Sequence, residues 1–479
     1  MDKKNPPIIG VLKTNNSIQV LLFAFLFALT LNAKAQNPKI KCYFNHPVNN
    51  AVSSGTNAIS LPTQFVDTLI AYINRATISI DLCVYNYYLT SGDGMDAVAT
   101  AINAAYTRGV KIRWIGNGSS SNNGWANLNA GIHTVTSPTT SAYGICHNKF
   151  VIFDQSSSNT NVPTVWTGSY NFTRQQNNYD YNNVVIIQDK LVATAYYNQF
   201  NQMWGSTTTT PNATNSKFGP NKTASTTNTF TVNGTPVEVY FSPKDATASH
   251  LQAAINTANS ELFFGIYTFT DNTTATAIKN KINAGIAGHG IMDQYSNTYT
   301  PYTTLNPVMT TNLKVYSNST YLYHNKIMVI DALHAASDPQ VCTGSFNWTA
   351  SADTKNDENM IVIHDATIAN EYYQSLCKNF TDVGGVACPA TTGIENYDYG
   401  TQQMALYPNP ANDFINVKIK NGSDKLKVTL TNSLGQVIVE KNIEGNDEAS
   451  FDVSALTPGL YFVTVFRGDR TFSEKFLKQ

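Results

Sequence analysis

The sequence predicts an α/β protein: two tandem α/β/α sandwich units with pseudo-two-fold symmetry, then an all-β, immunoglobulin-like sandwich. Three observations predict it. Buried-strand stretches alternate with Ala-rich helical stretches through the first half of the chain. The stretch HNKFVIFD (147–154) returns 177 residues later as HNKIMVID (324–331), with its preceding helices and strands in the same order. Residues 404–479 hold only short alternating strands between Gly, Asn, Asp and Pro turns.

In chain order, the N-terminus reads as a secretion signal. Lys3, Lys4 and Lys13 precede an apolar run at 20–31, and Ala33-Lys34-Ala35 follows as an A-x-A cleavage site. Residues 1–35 are therefore expected to be a signal peptide cut before Gln36. The 12-residue length of that run falls short of the about 20 that a bilayer span needs.

The first unit, 36–205, opens with a short strand at 40–44 and a helix at 62–75. TISIDLCVYNYYLT (77–90) reads as a buried strand with a polar exit, 94–108 as a helix stopped by Gly109, and VKIRWIG (110–116) as the next strand. HNKFVIFD is a further strand with polar residues at its start. This β-α-β order favours a parallel or mixed sheet covered by helices. Residues 206–236, rich in Thr, Asn, Ser and Pro, read as a linker or a long surface excursion.

The second unit, 237–386, repeats the pattern: a strand at 237–241, the helix LQAAINTANS, the strand ELFFGIYTFT, a helix to about 284, and HNKIMVID. It is the less regular copy. AGIAGHGIMDQ replaces RGVKIRWIGN and lacks the Arg, so loops that meet substrate are expected to differ between the halves. A second linker is expected at 387–403, before the sandwich of 404–479.

Composition narrows the function. Apolar residues make up 42% and charged residues only 13%, which suits a neutral, hydroxyl- and amide-rich exported surface. From Gln36 to Ala390 there are 18 Lys plus Arg against 20 Asp plus Glu, a balance of −2. The basic surplus of a nucleic-acid-binding domain is missing. The six cysteines, Cys42, Cys83, Cys146, Cys342, Cys377 and Cys388, form no CxxC pair, so no zinc site is expected. Cys377 and Cys388 are near enough to close a small loop, and all six may equally be free thiols.

Chemistry concentrates in the repeat. Each His-x-Lys motif is followed by a second fixed element, GSYNFT (168–173) and GSFNWT (344–349), which pairs Asn171 with Asn347 and Asn183 with Asn359. Lysine offers positive charge to a phosphate oxygen, and Ser hydroxyls and Asn amides offer neutral donors. Histidine moves protons near neutral pH and also serves as a nucleophile. Two pseudo-symmetric copies bring two of each to one cleft, where one His attacks phosphorus and the other protonates the leaving oxygen.

The doubled HxKx4D…GSxN pattern resembles the phospholipase D superfamily over 40–380. The resemblance implies two phospholipase D-like units and a phosphodiesterase working through a phosphohistidine, with no metal and no cofactor. It implies His147 as nucleophile and His324 as general acid, with Lys149, Lys326, Asn171 and Asn347 on the phosphate and Ser169 and Ser345 in support. Asp154 and Asp331, a strand's length away, read as structural. Members of the family place a Glu where it orients a catalytic His; Glu358 matches, but the first half has Asn182, which leaves three readings: Asn182 orients the other ring, Asp180 substitutes, or the site is weakened. The tail, with LYPNP, NSLGQ and LTPGLYFV, resembles the type A sorting domain of the type IX secretion system. This implies a secreted or surface protein of a Gram-negative bacterium, with that machinery as partner. The expected function is a monomeric phospholipase D acting on phospholipid or a membrane surface. The alternatives are a nuclease of the same superfamily and an inactive phosphate-binding scaffold.

Overall fold

The computed structural model describes residues 37–388, 404–419, 426–432, 436–443, 448–467 and 470–479. The expected signal peptide, and the second linker from 389 on, lie outside them.

Each unit is built on an eight-stranded mixed sheet, and seven strands follow the same order; the first edge strand differs, pairing parallel to its neighbour in the first unit and antiparallel in the second. In the first unit the order is Ile59–Ser60, Ile40–Phe44, Asn183–Ile187, Thr164–Gly168, Lys149–Phe153, Ser79–Val84, Lys111–Gly116, His133–Thr136. In the second it is Thr229–Val232, Thr235–Ser242, Glu358–Ile363, Gln340–Gly344, Lys326–Ile330, Glu261–Ile266, Ala287–Asp293, Leu313–Tyr316. Both motif strands, KFVIF and KIMVI, sit near the middle and are buried along their whole length. That burial explains their unbroken apolar run, since a strand covered on both faces has no solvent side to alternate with.

One face of the first sheet packs on helices Phe65–Arg75 and Asp96–Thr107, with Leu69, Ile73, Val98 and Ile102 pointing in. The second sheet is covered likewise by Thr247–Thr257 and Asn272–Asn283. The opposite faces of both sheets share a single apolar core, which contains Phe150, Val185, Tyr196 and Phe200 from the first unit and Val329, Ile361, Tyr372 and Leu376 from the second. Helices Lys190–Trp204 and Ala366–Asp382 lie in this shared core. The two halves are thus one folded body.

Several boundaries differ from expectation. The first helix starts at Phe65, after a turn, rather than at 62. The strand read over 77–90 breaks after Val84 and resumes only at Tyr87–Tyr88. The motif strands begin at Lys149 and Lys326, leaving both histidines outside the ladder. The segment 206–236 is no free linker: Thr229–Val232 is an edge strand of the second sheet, and Phe218, Lys222 and Val232 are buried. Its largest apolar side chains, Phe218, Phe230 and Val232, find cover, which composition alone hides. Cys377 and Cys388 form a disulfide, and the other four cysteines are buried free thiols.

The tail forms a three-stranded and a four-stranded sheet. Their inner faces meet over Ile415, Val417, Val428, Leu430, Phe451 and Val463, the sandwich expected from its alternating pattern.

Candidate active site

The chain enters each motif strand through a segment held by the other half. His147 N–H donates to Asp357 O at 2.9 Å and Asp357 N–H to Ile145 O at 3.0 Å; in the pseudo-equivalent place, Tyr181 N–H donates to Leu322 O at 2.9 Å. Both histidines are thereby set at the seam between units, and both are buried.

Their rings are oriented crosswise. His147 Nδ1 donates to Glu358 Oε2, from the second unit, at 2.8 Å, and His324 Nδ1 donates to Asn182 Oδ1, from the first, at 3.0 Å. The motif serines fix these partners: Ser345 Oγ donates to Glu358 at 2.7 Å and Ser169 Oγ to Asn182 Oδ1 at 2.9 Å. The Asn182 amide nitrogen is committed to the carbonyls of Gln176 and Asp180, so its oxygen must face His324. With Nδ1 carrying the hydrogen in both rings, Nε2 is left for chemistry. Asp180 does not touch His324. It accepts from Leu322 N–H and from Gln175 and Gln176, so the question left by the missing Glu is answered by Asn182.

The lysines are placed alike. Lys149 Nζ donates to His147 O and Lys326 Nζ to His324 O, each at 2.7 Å. Each ammonium also lies over a tyrosine ring, Tyr85 at 5.3 Å and Tyr267 at 5.1 Å. The same tyrosines pack against His147 and His324 at 5.3 and 5.2 Å. Sequence reading missed them, although both stand one residue past matching strands. The side-chain oxygens of Asn171 and Asn347 are among the buried atoms with no hydrogen-bond partner in the protein. A donor N–H or O–H would complete these oxygens, while the amide nitrogens are the groups able to donate to a phosphate oxygen.

Two glycines make the serine placement possible. Gly168 and Gly344 have φ of 147° and 140°, and a Cβ there would sit 2.2 Å from Asn183 O and 2.3 Å from Asn359 O. Asn183 and Asn359 then knit the halves: Asn183 bridges Asn325, Thr343 and Tyr372, and Asn359 bridges Thr167 and Tyr196. Asp154 and Asp331 lie at the far ends of the motif strands. Each collects three backbone N–H groups of the neighbouring strand's start, 77–79 and 259–261, from a left-handed φ near 50°.

Burial governs the electrostatics. It drives His147 down to about 4, against the pull of Glu358, with Lys149 adding to the push. His324 is held well below its ordinary value by burial and then by Lys326 and Lys149. Lys149 falls to about 7 through burial, opposed by Glu358, and Lys326 is lowered by burial and Lys149. Glu358 stays below the usual carboxylate range: burial raises it, but His147 and Lys149 more than reverse this. Such a cluster is short of negative charge and prepared for an anion.

Comparison with known proteins shows which families the chain matches. The family described as "Cardiolipin synthase, PLD-like domain" matches residues 69–204 and 251–379, and "Secretion system C-terminal sorting domain" matches 405–479. A phospholipase D of Rickettsia bellii is 29% identical over 140 residues, 29% of this chain and 66%, just under two thirds, of the relative. A mitochondrial cardiolipin hydrolase of Xenopus tropicalis is 27% identical over 141 residues, 28% of this chain and 59% of the relative. Among solved structures, a phosphatidylserine synthase of Haemophilus influenzae superposes with a TM-score of 0.50 at 14% identity, over 73% of this chain and 89% of that one. At that identity the likeness is one of fold.

Proposed function

The chain belongs to the PLD-like domain family and ends in a secretion-system sorting domain, and from that premise we propose that it is an exported phosphodiesterase, a phospholipase D that releases the head-group alcohol and leaves phosphatidic acid. The observation that carries the reading is the crossed, unequal pair: His147 against the Glu358 carboxylate, His324 against the Asn182 amide.

The inequality supports one assignment of roles. His147 Nε2 attacks phosphorus, and the positive charge that grows on its ring is met by Glu358. His324, held by a neutral amide between two lysines, gives up an Nε2 proton readily, which suits the acid that protonates the departing alkoxide. Its proton is acquired when the phosphodiester anion enters and offsets the lysine charges. Lys149, Lys326, Asn171 and Asn347 bind the non-bridging oxygens. In the second step His324, now neutral, takes a proton from water. The resulting hydroxide equivalent displaces His147 from phosphorus and frees phosphatidic acid.

Lipid is favoured over nucleic acid by the balance of −2 over residues 36–390. The test is choline release from phosphatidylcholine vesicles in EDTA, run beside single- and double-stranded DNA, with His147→Ala as control. Choline release abolished by His147→Ala supports the reading. DNA cleavage without lipid turnover makes the protein a nuclease, and silence on both, with phosphate still binding, makes it an inactive scaffold.

A further inference from the structure

The segments that lead into the two histidines are held in different ways. Before His147, Asn117 Oδ1 accepts from Cys146 N–H at 3.0 Å and Asn356 Oδ1 from Ile145 N–H at 3.2 Å. Before His324 the acceptors are carboxylates: Asp293 Oδ2 takes Tyr323 N–H and Asp180 Oδ1 takes Leu322 N–H, both at 2.8 Å. One acid on the His147 side has no match at all. Asp357 stands where the first half has Tyr181, by the same ungapped register that pairs Asn182 with Glu358. Tyr181 packs its ring against His46, Tyr316 and Tyr323, whereas Asp357 is a fully buried carboxylate.

Asp357 governs both ends of the bond between His147 and Glu358. Its N–H donates to Ile145 O at 3.0 Å and its carbonyl accepts from His147 N–H at 2.9 Å, so it grips the chain on both sides of Cys146. The next residue is Glu358, whose carboxylate meets His147 Nδ1 at 2.8 Å. The Asp357 side chain is in turn clamped by the 206–236 segment and by Tyr143. Lys222 Nζ lies 2.7 Å from Oδ1, Gly219 N–H donates to the same oxygen at 3.0 Å, and Tyr143 OH donates to Oδ2 at 2.7 Å. Lys222 also donates to Ser242 O at 2.9 Å, and both charges are buried. The segment comes this close because residue 219 is glycine: at its φ of +51°, a Cβ would meet the Tyr143 ring at 2.6 Å and Lys355 O at 2.7 Å. A buried ion pair adds little net stability, since desolvating both charges cancels most of their attraction. What it supplies is one fixed arrangement, because a buried charge tolerates no loss of its partners.

We infer that Lys222 and Asp357 are positioning residues for the attacking histidine: the 206–236 segment reaches the seam between the units and sets Glu358 against His147. This rests on His147 being the nucleophile and Glu358 its counter-charge. Removing the Lys222 charge leaves the Asp357 carboxylate short of a partner, and residues 357 and 358 shift to recover one. His147 and Glu358 then part from their 2.8 Å contact. The lysines and asparagines assigned to the phosphate are not touched by Lys222, so the loss belongs in kcat and not in KM.

The test is a double-mutant cycle on choline release from phosphatidylcholine vesicles, with Lys222→Met, Glu358→Gln and the two together. Lys222→Met should lower kcat roughly tenfold at unchanged KM, and by less than about twofold once Glu358→Gln is present. Tyr143→Phe removes only the bond to Oδ2; it should act in the same direction, and it carries the cycle if Lys222→Met does not fold. Ser225→Ala loosens the same segment at Asp245, without touching a partner of Asp357, and should leave kcat as it was. A readout independent of turnover is the downfield proton resonance of the His147 Nδ1–H bond to Glu358, which should move upfield in Lys222→Met. An equal loss of kcat in both backgrounds, or a resonance that Lys222→Met leaves in place, overturns the positioning role while the phospholipase reading stands. Cleavage of DNA alone overturns the phospholipase reading, and the cycle is then read on DNA. Turnover of neither overturns it too, and the resonance decides the positioning role by itself.

Discussion

Glu358 Oε2 lies 2.8 Å from His147 Nδ1 across the seam between the two units, a carboxylate from one half orienting the histidine of the other. Its opposite number, Asn182, does the same for His324 with a neutral oxygen.

Glu358→Gln keeps the oxygen that faces His147 and Ser345, gives up the bond from Asn356 Nδ2 to Oε1, and removes the charge. The fold should tolerate it, because an amide already fills the matching position. Stabilisation of the developing imidazolium is lost, so kcat should fall roughly 10²-fold with KM little changed. Steady-state kinetics alongside a thermal melt check this. Unchanged kcat would mean that Glu358 only positions the ring.

The buried cations make stability depend on pH and on anions. His147 sits at about 4 when folded and at about 6.5 when unfolded. Below pH 6.5 the unfolded chain therefore takes a proton that the folded chain refuses. Stability falls as pH drops from about 6.5 to 4, by on the order of 3 kcal/mol. Lys149 acts in the same sense between its ordinary 10.5 and about 7. A bound phosphate supplies the missing negative charge and raises both values. It should increase Tm more at pH 6 than at pH 9, with proton uptake seen by calorimetry in buffers of different ionisation enthalpy. A Tm indifferent to phosphate would contradict this account of the cluster.

Gly168→Ala should destabilise the protein by about 3 kcal/mol or more, because the added Cβ meets Asn183 O at 2.2 Å in a backbone conformation that L side chains avoid. Denaturant unfolding measures it. Ala at Gly234, whose built Cβ meets nothing within 4 Å, is the control and should cost only the strain of its φ of +88°.

Thiol titration of the denatured, unreduced chain should find four of the six cysteines reactive, since only Cys377 and Cys388 are joined. Titration of the native protein should find almost none, because Cys42, Cys83, Cys146 and Cys342 are buried. A denatured count of two would show that Cys83 and Cys146, whose sulfurs lie 3.5 Å apart, are also oxidised.

The repeat made the site legible in the sequence. His147 and His324, with their lysines and the GSxN serines, are written twice at constant spacing, and hydrogen bonds join each set around its histidine or that histidine's partner. The crossing was not legible, because His147 and Glu358 are 211 residues apart and no local pattern tells which half a side chain faces. Tyr85 and Tyr267 were hidden for a different reason. They follow apolar strands and read as their continuation, whereas the ladder ends at Val84 and Ile266 and frees both rings. The segment 206–236 failed on composition: a Thr- and Asn-rich stretch reads as unanchored, yet buried Lys222 pairs with Asp357 at 2.7 Å, next to the residue that orients His147.

The crossed seam also bears on how such a site can change over generations. Two identical copies meeting on a true two-fold axis carry one gene's residues in both places, so a substitution that improves the attacking histidine is forced on the proton donor as well. A covalent tandem removes that constraint. Here it has been used at three facing positions, where Asn182 opposes Glu358, Asn117 opposes Asp293 and Asn356 opposes Asp180. Each half can be tuned by mutation for one side of the scissile bond without disturbing the other.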